Sequence, residues 1–135
     1  MKYLLDTCVV SDFYEGCDKT SKKIKRLTPN DIGISIITVA EVEYGIARIR
    51  GTKKAESISK FSEELFKAIK VISIDYEIAK VAGCLRSDLE KVGTPIGAYD
   101  LLIAATAKYY DLTVVTSNIR EFERVEDLKI ENFRK

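Results

Sequence analysis

No histidine and no tryptophan occur in these 135 residues. Without an imidazole the chain cannot build a Ser-His-Asp or Cys-His nucleophile, nor a zinc site with histidine ligands. If it does chemistry, carboxylates are the tools that remain. Cysteine is sparse: Cys8, Cys17 and Cys84 are an odd number without a paired CxxC spacing, which reads as reduced thiols and a cytoplasmic location. No apolar stretch approaches the roughly 18 residues of a membrane span. The opening "MKYLLDTCVV" is broken by an aspartate and followed by no small-residue cleavage site, so it is expected to be a first strand and not a signal peptide. An excess of one charge is also missing. Lys plus Arg number 22 against 21 Asp plus Glu, so binding of a polyanion has to rely on local patches.

What is present is apolar substance: 46% of the residues, enough to close one core in a chain of this length. Residues 1–135 are expected to form one domain. Five short, often β-branched runs recur along it, "YLLD" (3–6), "IGISI" (32–36), "KVISI" (70–74), "LTVVT" (112–116) and the weaker "LKIE" (128–131). Helical patterns separate them. In "ITVAEVEYGIARIR", Val39, Val42, Ile46 and Ile49 share one face, and Thr38 with Glu41 is expected to form the N-terminal capping box. Ile58, Phe61, Leu65 and Phe66 mark a second amphipathic helix over 53–67, and Ile78, Val81, Ala82, Leu85 and Leu89 a third over 77–91. Strands alternating with helices predict an α/β fold: a central, mostly parallel sheet of about five strands with helices on both faces.

"PIGAYDLLIAATAKYY" (95–110) is the odd segment. It reads as a buried helix, yet Asp100 sits near its head, where an uncompensated carboxylate is costly. In parallel α/β sheets ligands bind outside the carboxyl ends of the strands, so the polar residues there matter. Asp6 and Thr7 close the first strand, and Ser35 and Thr38 flank the end of the second with Glu41 a turn beyond. Thr116, Ser117 and Asn118 close the fourth. Right-handed crossovers bring Asp6, Glu41 and Asp100 to one edge. Three carboxylates in one crevice repel, and a hard divalent cation, Mg²⁺ or Mn²⁺, relieves that without any histidine. Such a cation activates water and orients a phosphodiester. Each acid also has a simpler reading as a cap or as a helix N-terminal charge.

These same residues resemble the PIN-domain ribonucleases, and most closely the VapC toxins of prokaryotic toxin–antitoxin modules. The resemblance rests on "LLDTCVVSDF", "SIITVAEVEYGIARI" and the long stretch from "LRSDLEKVGTPIGAYDLLIAATAKYY" through "DLTVVTSNIREF" to "ENF". It implies a PIN fold over the whole chain and a Mg²⁺- or Mn²⁺-dependent endoribonuclease, with Asp6, Glu41 and Asp100 holding metal. Thr7, Thr116 and Ser117 would then orient water or carboxylates. The family's fourth acidic position falls on Asn118, a neutral oxygen donor, so Glu121 is an alternative source of that carboxylate, and Arg86 stands where the family often has a substrate-binding arginine.

The resemblance further implies RNA as substrate, commonly a tRNA loop, together with a second copy of the chain and a small antitoxin as partners. The antitoxin's apolar contact is expected on the helices around 42–49 and 61–69. Basic runs at 19–26 ("KTSKKIKR"), 47–54 ("ARIRGTKK") and the C-terminal "FRK" are the local patches that could grip a phosphate backbone, although such runs are commonly just solvated faces. Two other readings stand beside the nuclease: a catalytically decayed PIN-like module that binds RNA or protein, signalled by Asn118, and a metal-dependent phosphatase with Asp6 as nucleophile. The second is weakened because "DTC" lacks the paired aspartate of that chemistry.

Overall fold

Strand β1 (Tyr3–Leu5) is buried along its whole length, and so is β2 (Ile32–Ser35). Burial on both faces is what a continuous apolar run in the middle of a parallel sheet requires. The computed structural model describes all of residues 1–135 and places β3 (Lys70–Ile72), β4 (Thr113–Val115) and β5 (Ile130–Glu131) around this pair. The sheet order is β3-β2-β1-β4-β5 and every pairing is parallel. Each of the five strands lies within the run that predicts it.

Alternation along the strands divides the interior into two cores. Leu4 and Val114 face one way, joining Ile78, Ala82 and Leu89 of α5 (Tyr76–Lys91) and Leu101, Ile103, Ala104 and Ala107 of α6 (Ala98–Tyr110). Tyr3, Leu5 and Val115 face the other way, against Val9 of α1 (Thr7–Glu15), Ile24 of α2 (Asp18–Lys25) and Phe133 near the C-terminus. A helix α3 (Ile36–Arg48) leads into α4 (Lys53–Ala68), and a single turn, α7 (Ile119–Phe122), follows β4.

Several helices start with no loop before them. Asp6 is itself the N-cap of α1, which Gly16 ends in the left-handed conformation at φ 77°. Ser35, the last residue of β2, caps α3 through its side-chain oxygen, which accepts from the Ile37 backbone N–H at 3.1 Å. The expected capping box at Thr38 and Glu41 therefore does not form. The helix begins directly on the strand, Thr38 lies inside the first turn, fully buried with no hydrogen-bond partner for its hydroxyl, and Glu41 is left for another contact.

Candidate active site

The chain passes β1, β2 and β3 toward one edge of the sheet, then returns to lay β4 and β5 on the other side of β1. The reversal opens a crevice between the carboxyl ends of β1 and β4, the usual ligand position in such sheets. Asp6 stands at the end of β1, only 6% exposed. Its two oxygens are separately engaged: Oδ1 accepts from the Thr7 backbone N–H at 2.8 Å, and Oδ2 from the Thr116 hydroxyl at 2.8 Å. Thr116 in turn accepts from the Asn118 backbone N–H at 2.9 Å, so one buried hydroxyl ties the acid of β1 to the turn after β4.

Glu41, one turn into α3, accepts from the Thr7 hydroxyl at 2.8 Å. Thr7 thus links the ends of β1 and α3. Asp100 occupies the first turn of α6, half-buried, where the helix N-terminus favours a negative charge. Desolvation works against that preference more strongly. Burial, a hydrogen bond with Glu121, and the charges of Glu121, Asp6 and Glu41 together push its carboxyl up to about 7. Glu121 moves the opposite way, held below its ordinary range first by the Gly97 backbone N–H, which donates to Oε1 at 2.6 Å, and also by the Asn118 side-chain amide, which donates to Oε2 at 3.1 Å. Of the two, Asp100 is the acid that binds a proton the more readily.

Asp6, Glu41, Asp100, Asn118, Glu121, Thr7, Thr116 and Ser117 therefore gather at one crevice. Arg86 does not join the acids. It is exposed on α5, paired with Glu90 at 3.1 Å, and lines a separate hollow with Pro95, Ile96 and Ala98 beside the head of α6. One crevice residue carries no role in the sequence reading. The Cys8 thiol accepts from the Ser117 hydroxyl at 3.3 Å and from its N–H at 3.4 Å, and it donates to Asp6 Oδ2 at 3.8 Å. Its position two residues after Asp6, on the first turn of α1, is the only trace of this in the sequence.

Apart from the Cys8 thiol, the donors facing the crevice are hard oxygens, and none of the ion pairs in the fold involves Asp6, Glu41, Asp100 or Glu121. A carboxyl raised to about 7 by burial first, and then by Glu121, Asp6 and Glu41, sits where acids crowd without a counter-charge. A hard divalent cation fits this chemistry. The acids do not form a ready-made cage of three donors, and Glu41 and Glu121 accept hydrogen bonds from neutral donors, the Thr7 hydroxyl and the Asn118 amide. From Thr7 and Glu41 a groove of about 730 Å³ runs between α1, α3 and α4 over an apolar floor that includes Val10, Val42, Ile46 and Phe61.

The family model described as the PIN domain matches residues 3–128. The chain is 35% identical over 143 aligned positions to Ribonuclease VapC2 of Rickettsia felis, with 100% of both proteins covered. It is 30% identical over 133 positions to the tRNA(fMet)-specific endonuclease VapC of Salmonella typhimurium, covering 98% of each. In three dimensions it is similar to a chain of DNA-bound VapBC from Salmonella typhimurium, with a TM-score of 0.87, 30% identity and 98% of each chain covered. Since the match runs through Asp6, Glu41, Asp100, Asn118 and Glu121, and the likeness in fold spans nearly the whole chain, this protein belongs to the PIN-domain family.

Proposed function

We infer that this PIN domain, taken as residues 1–135, is an endoribonuclease of the VapC kind, the toxin of a toxin–antitoxin pair that hydrolyses RNA phosphodiesters. The observation that carries the reading is the group of carboxylates at the sheet's switch point, without a cationic partner and with Asp100 raised to about 7. Asp6, Asp100 and Glu41 would hold Mg²⁺ or Mn²⁺, which when bound supplies an acidified water and neutralises charge on the cleaved phosphate. The protein's own residues set the geometry. Thr116 and the Thr7 N–H fix both oxygens of Asp6, while the Thr7 hydroxyl aims Glu41. Asp100 would have to give up its proton to hold the cation, the Asn118 amide keeps Glu121 in place, and the Asn118 carbonyl oxygen would be a weak further ligand. Ser117, anchored on the Cys8 thiol, completes the polar wall.

The Salmonella relative's name supports tRNA as the substrate class, and an RNA target supports a cytoplasmic location. No helix is long and apolar enough to cross a membrane. The apolar floor between α3 and α4 suits a helix of the antitoxin, whose basic side chain would then reach the acids at Thr7 and Glu41. A second copy of the chain is the other expected partner. Arg86 would contact substrate phosphate from the rim after releasing Glu90.

Purified Asp6→Asn and Asp100→Asn variants should retain the parent's circular dichroism and lose metal-dependent cleavage by more than the roughly hundredfold that loss of a mere supporting partner of a metal ligand costs. Undiminished cleavage by both would overturn the assignment. The decayed-module reading predicts no saturable Mn²⁺ binding in calorimetry, whereas the nuclease should bind Mn²⁺ in a manner that needs Asp6 and Asp100.

A further inference from the structure

The groove that opens on Thr7 and Glu41 has an apolar floor but an aromatic and cationic rim. Tyr44 is 66% exposed and Tyr99 is 56% exposed, and both line the groove. A single exposed tyrosine is ordinary. What sets these two apart is their position beside the acids. Tyr44 follows Glu41 by three residues on α3, which puts both on one helix face. Tyr99 immediately precedes Asp100 in the first turn of α6. The rings therefore stand on the two elements that carry the crevice acids.

Arg48, one turn after Tyr44, sets its guanidinium 5.7 Å from the Tyr44 ring centroid. The other cation lining the groove, Lys54, is paired with Glu15 at 3.6 Å, whereas Arg48 belongs to no ion pair. An exposed flat ring with an uncommitted cation over it matches one nucleotide's chemistry, a π-face and a phosphate.

We propose that Tyr44 and Tyr99 are base-stacking residues that hold unstacked nucleotides of a single-stranded RNA segment on either side of the acidic crevice, with Arg48 taking an adjacent phosphate. The proposal rests on the ribonuclease reading. Stacking tolerates any base, since each has a π-face, but it requires that face to be free. The rim therefore selects loops and single strands over duplex, whose base faces are covered. A helical peptide would instead bury its apolar face on the floor at Val42, Ile46 and Phe61, leaving the rim tyrosines of little account.

The test is steady-state cleavage of a single-stranded oligoribonucleotide, with anisotropy of the same labelled oligonucleotide on the Asp100→Asn background. Tyr44→Ala and Tyr99→Ala should each raise KM and weaken binding roughly tenfold. Their kcat at saturation and Mn²⁺ affinity should match the parent, because only substrate binding is removed. Tyr44→Phe and Tyr99→Phe should behave as the parent, since the ring face is kept. Tyr109→Ala, at the far end of α6 and 45% exposed in the parent, is the control and should change nothing. Alanine variants that bind and cleave the oligonucleotide like the parent would overturn the proposal, including the case in which they lose affinity only for a protein partner. Phenylalanine variants as weak as the alanine ones would overturn it too, by assigning the effect to the hydroxyl. Should the parent show no metal-dependent cleavage while tyrosine-dependent binding persists, the nuclease reading fails and the stacking assignment stands.

Discussion

Asp100 is pulled in two directions, toward its charged form by the first turn of α6 and toward its neutral form by burial and by Glu121, Asp6 and Glu41. The second influence wins, raising the carboxyl from 3.8 to about 7 in the metal-free fold. A carboxyl that binds its proton more tightly when folded adds stability below that folded value and loses it as pH rises. Metal-free protein should therefore become less stable between about pH 4.5 and 7. Glu121 shifts downward and acts with the opposite sign, but only on the acid side of its ordinary 4.5. Melting temperatures of chelator-treated protein from pH 5 to 8 should fall for the parent and stay nearly flat for Asp100→Asn, which should be the more stable of the two at pH 8. Mn²⁺ affinity should run the other way, rising by about tenfold per unit well below pH 7 and levelling off above it, because one proton must leave. Asp6, Glu41 and Asp100 were legible in the sequence because each lies at the end or just beyond the end of a recognisable strand, or at the head of an obvious helix. Cys8 against Ser117 and Gly97 against Glu121 were not, since those contacts join residues 109 and 24 positions apart with no local pattern to mark them.

At the scale of elements, α6 decides where Asp100 sits. Ile103, Ala104, Ala105 and Ala107 have no exposed surface, and the helix packs chiefly on α5, so alanines let it lie close to its neighbours. Close packing leaves no room for growth. Ala105→Leu should cost about 1–3 kcal/mol in urea denaturation and also reduce cleavage, by displacing an acid it never touches. Retained activity in a destabilised Ala105→Leu protein would mean that Asp100 is positioned by its own turn and not by the helix. The strands and the longer amphipathic helices could be read from β-branched runs and three-to-four spacing. The capping residue of α3 was misplaced because β2 passes into the helix with no loop, so Ser35 ends one element and starts the next. Helices α1 and α2 carry no separate signal in the pattern: only the capping residue Asp6 separates α1 from β1, and α2 is almost wholly polar. A single turn such as α7 is too short to show a period.

The whole molecule carries a net charge of only +1, so attraction to RNA cannot come from its overall field. Of the three basic runs, 47–54 is the one that reaches the groove, through Arg48 and Lys54. Lys22 of α2 is spent on Asp18, and none of the α2 lysines lines the groove. Few phosphates are then neutralised, and the salt dependence of binding should be shallow. For a single strand each neutralised phosphate contributes a slope of about −0.7 in log affinity against log salt, so two or three contacts give roughly −2. Arg48→Gln should reduce that slope by about 0.7 while weakening binding similarly for all sequences. The double substitution Lys22→Gln and Lys25→Gln should leave the slope where it was. Anisotropy of a labelled oligoribonucleotide between 50 and 300 mM salt reads both quantities. A steep parental slope that falls with the α2 substitutions would move the RNA path off the groove and onto the surface of α2, beside the C-terminal segment where Ile24 and Phe133 pack.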